Sequence, residues 1–241
     1  VSFGLSGVST LLSCAGAPGY GARLGFWALL PLVLALVVLA ATRLAGRSLV
    51  QSALPVALRL LFLLYPTVTQ VAFEAFSCYD LGLEDEPRVG RWLIVDVSVE
   101  CGSGTHRSLL LCAWLAIGAY SVGLLVTYAA LLLRARQAIV TRQPTALSEA
   151  LRFLHHEYSV EYCFWELAEM ARRLVLVGFL VPFAPGSLQQ LACGLMVAVI
   201  YLLLQLQARP YRRLADNYLA MTASFSLVVL LFGALLLRVG D

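Results

Sequence analysis

The chain has 241 residues, of which 61% are hydrophobic and only 13% charged, with a formal net charge of +3. A soluble domain carries about a quarter charged residues. This composition, with a mean hydropathy of +0.85, excludes a soluble globular fold and points to an integral membrane protein.

All 17 basic residues are arginine, a bias that carries no function by itself. The chain begins at Val1, and its first residues lack the charged n-region of a signal peptide. Residues 1–23 are therefore expected to be an extracytoplasmic tail, the end of a truncated ectodomain. Beyond them, six apolar stretches are long enough, or nearly so, for the ~20-residue helix that spans a bilayer. They cover 24–42, 53–76, 109–133, 167–183, 188–207 and 218–237. The fourth is short and ends sharply at Pro182 and Pro185. Runs of this length are far too continuous for barrel strands. Residues 24–241 thus read as an all-α, polytopic transmembrane helical bundle of about six spans.

Arginine orients the bundle. Arg43 and Arg47, then Arg134, Arg136, Arg142 and Arg152, then Arg209, Arg212 and Arg213 fall in one set of loops. The other set holds Arg23, Arg88, Arg91, Arg107 and Arg238. The first set is expected to face the cytoplasm, which leaves both ends of the chain outside, at the plasma membrane.

The second span, "ALPVALRLLFLLYPTVTQVAFEAF", carries a candidate polar face. At about 100° per residue, Arg59, Gln70 and Glu74 fall within roughly 60° of one another. Pro66 lies on the same side. Roughly 22 Å of helix rise separates Arg59 from Glu74, too far for a direct pair. Such a stripe packs against protein or lines a pathway. Arg59 snorkels at one end and Glu74 sits at the other, so packing is the simpler use.

The loop 77–108 follows, with an acidic run Glu84-Asp85-Glu86 and an alternating stretch 92–99 that reads as one short strand. Cys78 and Cys101 bracket this material. Outside the cytoplasm they are a disulfide candidate. Cys14 has no obvious partner, while Cys112 and Cys193 lie within spans. The acidic run is a solvated turn or an attraction for cations at a pore mouth.

Tyr120, Ser121, Thr127 and Tyr128 in the third span are the small and hydroxylated residues that join membrane helices. After it, Pro144-Thr145 starts an amphipathic helix, with Thr145 as N-cap. Leu147, Leu151, Leu154 and Tyr158 take one side, which suits an interfacial helix on the cytoplasmic surface. The next segment, Trp165, Glu166, Glu169, Arg172 and Arg173, enters the fourth span and is a candidate coupling linker. Glu169 can pair with Arg172 or Arg173 along one helix, and Trp165 stands at interfacial depth. No nucleophile motif, P-loop or metal-ligand spacing occurs. Catalysis, cofactors, metals and nucleic acid are not expected; the bilayer is, with cations and further copies of the chain as candidate partners.

The ordered segments "LFLLYP", "FEAFSCYDLG", "WLIVDVSVEC", "AYSVGLL", "FLHHEY", "WELAEMARRLVLVG" and "ARPYRRLADNYLA" extend from about Leu60 to the end. They resemble the C-terminal multi-pass, TRP-like region of large surface proteins from algae, dinoflagellates and oomycetes. The resemblance implies a cysteine-rich ectodomain ahead of the spans and a cation-conducting or sensory role. The non-conducting alternative is an anchor or receptor module for that ectodomain. One departure stands out. Where that family has a Tyr-Pro-x-Gly-x-Pro pattern, this chain has Ser121 and Leu125 in place of both prolines.

Overall fold

The computed structural model describes residues 19–46, 48–80, 90–179 and 187–240. Cys14, the acidic run 84–86, Arg47, Arg88, Pro182 and Pro185 lie outside the described residues. Among the described residues, five helices are long and apolar enough to cross a membrane. The protein is an all-α, polytopic membrane protein with a small sheet on one face.

Helix α1 (Tyr20–Leu44) runs antiparallel to α2 (Leu54–Glu74), which a wide π turn at Leu49–Ala53 introduces. Helix α3 (Gly104–Val140) is continuous over 37 residues. A π turn at Ile117–Val122 interrupts its regular winding. Ser121 lies inside this turn and Leu125 just beyond it. Gly123 there has room for no side chain, because a Cβ would stand 2.9 Å from the Gly118 carbonyl oxygen.

Helices α1, α2 and α3 form the packed core, and tyrosine hydroxyls tie them together. Tyr20 donates to the Val71 carbonyl (2.6 Å), Tyr120 to that of Ala28 (2.5 Å) and Tyr128 to that of Leu58 (2.7 Å). Thr69 and Ser121, both buried, share a hydrogen bond of 2.9 Å. Of the hydroxyls expected to join helices, Tyr120, Ser121 and Tyr128 do so, whereas Thr127 bonds back to the Gly123 carbonyl of its own helix. In hydrocarbon such groups have no water to turn to, so each must find a partner on a neighbouring helix.

The described parts of the loop 77–108 form a three-stranded antiparallel sheet, β1 (Cys78–Asp80), β2 (Arg91–Leu93) and β3 (Asp96–Glu100). The stretch expected as one strand over 92–99 is instead a hairpin. It turns at Ile94 and Val95, so Leu93 pairs with Asp96. Cys78 and Cys101 form the expected disulfide. Asp96 reaches from this sheet to α1, where its carboxylate accepts the Tyr20 backbone N–H at 2.8 Å. It thereby satisfies a free donor in the first turn of α1.

Burial opposes ionisation of Asp96, but hydrogen bonds from Ser98 and the Tyr20 N–H, with the Arg23 charge, outweigh it and hold the carboxyl below its usual value. A depressed carboxyl contributes stability above its unfolded pKa, about 3.9, and loses it as pH falls through the folded value. Acidification below about pH 4 is therefore expected to release the sheet from α1 before the core unfolds. Asp96→Asn should remove that acid-dependent step, read by hydrogen exchange at the first turn of α1. A step of equal size in the variant would exclude Asp96 as its source.

On the opposite, arginine-rich face, Thr145 caps α4 (Ala146–Ala150) in a reciprocal capping box with Ser148, as its sequence suggests. Helix α5 (Arg152–His155) follows, then α6 (Trp165–Arg173), which passes through a π turn at Leu174–Phe179. The expected span 167–183 is described only as far as Phe179. Helices α7 (Leu188–Ala208) and α8 (Leu214–Gly240) pack on each other much more than on the rest of the described chain.

Candidate functional site

The residues expected as a coupling linker come together with the last two helices in one polar elbow on the arginine-rich face. Along α6, Glu166, Glu169 and Arg173 share a side because residues three and four apart are neighbours on a helix. Glu169 is 7% exposed. One of its carboxylate oxygens accepts from Arg172 at 2.8 Å, and the other accepts the Tyr201 hydroxyl of α7. The Arg172 guanidinium also lies over the Tyr201 ring, 4.4 Å from its centroid. Of the two pairings open to Glu169 in sequence, the structure selects the one with Arg172.

Trp165 completes this layer, its ring centroid 6.0 Å from that of Tyr201 and 6.0 Å from that of Tyr162. Tyr65 of α2 donates to the Met170 carbonyl at 3.0 Å, fixing α6 to the core. Further along, a Cβ on Gly178 would stand 2.5 Å from the Phe73 ring. That contact seats the π turn directly against α2.

A second layer joins the segment before α6 to the loop between α7 and α8. Tyr158 donates to Glu166 at 2.6 Å, and its ring stacks on Tyr211 at 4.9 Å. Their backbones form an antiparallel bridge. Ser159 N–H donates to the Pro210 carbonyl (2.8 Å), Arg212 N–H to that of Glu157 (3.0 Å), and Arg212 Nε to that of Tyr158 (2.7 Å). Burial, then the Glu166 charge, raises the Tyr158 phenol well above its ordinary value, so it remains a donor. Asn217 holds the turn by bonding both the N–H and the carbonyl of Tyr211.

Between these layers and α8 lies a cavity of about 400 Å³, lined by Glu166, Glu169, Arg173, Gln205 and Ser224 among others. Gln205 is fully buried; its carbonyl oxygen accepts from Ser224 at 2.7 Å, while its amide nitrogen has no protein partner. A buried amide donor left open to a polar cavity is suited to hold water.

The second expected constellation does not assemble. Arg59 lies near the arginine-rich end, with its guanidinium 5.9 Å from the centre of the Phe153 ring. Glu74, at the other end of α2, is ion-paired with Arg23 of α1. Gln70 makes no hydrogen bond among the described residues. No described cavity is lined by more than one of the three.

Beside the disulfide, His106 approaches Cys78 and Cys101. Its Nδ1 accepts from the Gly102 N–H and its Nε2 meets the Ala75 carbonyl, each at 3.1 Å. Both ring nitrogens are thus occupied by backbone, and the trio works as a structural clasp. Neither this clasp nor the Arg23–Glu74 pair is legible in the sequence. Their partners lie 31 and 51 residues apart, so no local pattern marks them.

Fold and elbow define a polytopic integral-membrane helical module. No protein-family model matches the chain, and neither a curated protein nor a solved structure shows significant similarity to it.

Proposed function

We propose that the chain is the sensory membrane module of a TRP-like surface protein, in which the elbow transmits displacement of the interfacial helices to the α7–α8 pair, and that cations are the species whose passage it controls. One observation carries this reading. The last two helices pack mainly on each other and meet the rest at their arginine-rich ends, through Tyr201–Glu169, Tyr211–Tyr158 and Arg212. A pair attached at one end by polar bonds can be biased by small changes there. The ordered sequence resemblance supports the same assignment.

A second reading, a non-conducting anchor for an ectodomain, draws on a different observation. Glu74, the acidic residue of the α2 stripe, is neutralised by Arg23, which suits a packing face. Cation flux into proteoliposomes holding the full-length protein, followed with a potential-sensitive dye, separates the two. The coupling reading expects flux that Glu169→Gln alters at least several-fold and Glu74→Gln leaves near wild type. Absence of flux above empty liposomes, from protein shown to be folded, favours the anchor.

A further inference from the structure

A second cavity, separate from the elbow, opens on the same face and has a different chemistry. It measures about 690 Å³ and is bounded by the end of α3, by α4 and α5, and by the loop between α7 and α8. Three arginines line it, each from a different segment: Arg142, Arg152 and Arg212. His155 and His156 join them, and Glu149 is the single carboxylate. That carboxylate stands 3.8 Å from Arg152. Among the described residues, two guanidinium charges therefore remain without a carboxylate partner at the cavity wall.

Two details of the wall bear on what the cavity can hold. His155 Nε2 contacts the Ser148 carbonyl at 3.3 Å, so it is the protonated nitrogen. His155 Nδ1 is buried with no partner among the described residues; burial, with the Arg212 and His156 charges, holds the imidazole below its usual pKa, and an anion neutralising those charges would act in the opposite direction. The other detail is the backbone of Arg142. It closes α3 in a left-handed conformation with φ of 56°, where its N–H bonds the Ile139 carbonyl and that of Gln143 bonds the Ala138 carbonyl. This is the helix-ending motif that glycine ordinarily fills. An arginine there works against the local backbone preference, as Arg209 does at the end of α7 outside the cavity; at Arg142 the geometry places the side chain at the cavity wall. Among the described residues it has no acidic partner.

We propose that this cavity binds a phosphate monoester, carried by the headgroup of a phosphorylated membrane lipid or by a soluble phosphate. Guanidinium forks match phosphate oxygens in paired hydrogen bonds, and basic pockets at the membrane end of spanning helices are where phosphorylated headgroups lie. The cavity is much larger than one phosphate group, leaving room for the ring or chain that carries it. Because its walls come from three segments, the bound group ties them together. The proposal does not depend on whether the protein conducts.

The test uses full-length protein in phosphatidylcholine nanodiscs and a fluorescent short-chain phosphatidylinositol bisphosphate as probe, with inositol trisphosphate and inorganic phosphate as competitors. Saturable binding is expected, weakened at least tenfold by Arg142→Gly. The glycine suits the local backbone, so that variant should melt at the same temperature as wild type or higher. Arg43→Gln, on the same face but outside the cavity, should bind normally. Competition by inositol trisphosphate at the concentration of the lipid probe identifies a soluble phosphate as sufficient; competition only by lipid identifies the headgroup. No saturable binding overturns the proposal, and so does an equal loss in Arg43→Gln, which would mark general attraction to a basic surface.

Discussion

Glu169→Ala is expected to loosen the α7–α8 pair while leaving the α1–α3 core folded. The carboxylate is nearly buried and serves two partners at once, Arg172 on its own helix and Tyr201 on α7. Removing it strands the Arg172 guanidinium, whose side chain is only 19% exposed, and frees the Tyr201 hydroxyl. Breaking a buried, hydrogen-bonded ion pair from one side costs about 3–5 kcal/mol. Tyr201→Phe keeps the ring beneath Arg172 and loses only the hydroxyl bond to the carboxylate, a cost of about 1.5–3 kcal/mol. Hydrogen exchange resolved along the chain is the measurement. Faster exchange confined to α7 and α8, larger for Glu169→Ala than for Tyr201→Phe, is the expected pattern. Unchanged exchange in both helices would show that Glu169 does not hold the pair.

The second large effect is expected on the sheet face. The Cys78–Cys101 disulfide spans 23 residues, and a cross-link of that length stabilises by roughly 3 kcal/mol in the chain-entropy model. Its loss reaches further than the loop itself. Cys78 belongs to β1, Cys101 follows β3 and bonds the Arg91 carbonyl, and Asp96 between them caps α1. Cys101→Ser, or reduction verified by thiol counting, should lower the melting temperature. It should also expose Arg91 to trypsin at rates that leave the helices intact. Cys163→Ser, at a buried free thiol, provides a comparison outside the sheet. An unchanged melt with both sheet thiols demonstrably free would remove the disulfide from the stability of this face.

What was legible in the sequence follows the range of the interaction. The spans announce themselves because twenty consecutive apolar residues need no partner to be recognised. The Thr145 cap and the Glu169–Arg172 pair are equally local, settled within three residues. The hairpin inside 92–99 was hidden because its turn, Ile94 and Val95, uses none of the residues that usually mark one. Alternation simply continues through it. The polar stripe on α2 was real as geometry, yet its members answer to different neighbours. Arg59 meets Phe153 and Glu74 meets Arg23, and which helix lies alongside is a property of the packed bundle. The bridge between Tyr158 and Tyr211 joins residues far apart in the chain. Neither tyrosine, read alone, distinguishes it from ordinary interfacial anchoring.

The tyrosines of the core determine how this molecule can deform. Helices in a lipid environment meet little resistance to sliding lengthwise, since one apolar contact replaces another. A hydroxyl bound to a single main-chain carbonyl abolishes that indifference: Tyr20, Tyr120 and Tyr128 each fix the axial register of two helices, and Tyr65 does the same for α6 against α2. Shear of any one of the three core helices by one residue would break at least two of these bonds together. The core therefore behaves as a raft, whereas α7 and α8, whose ties to it among the described residues gather at one end, have more the character of a boom about its pivot.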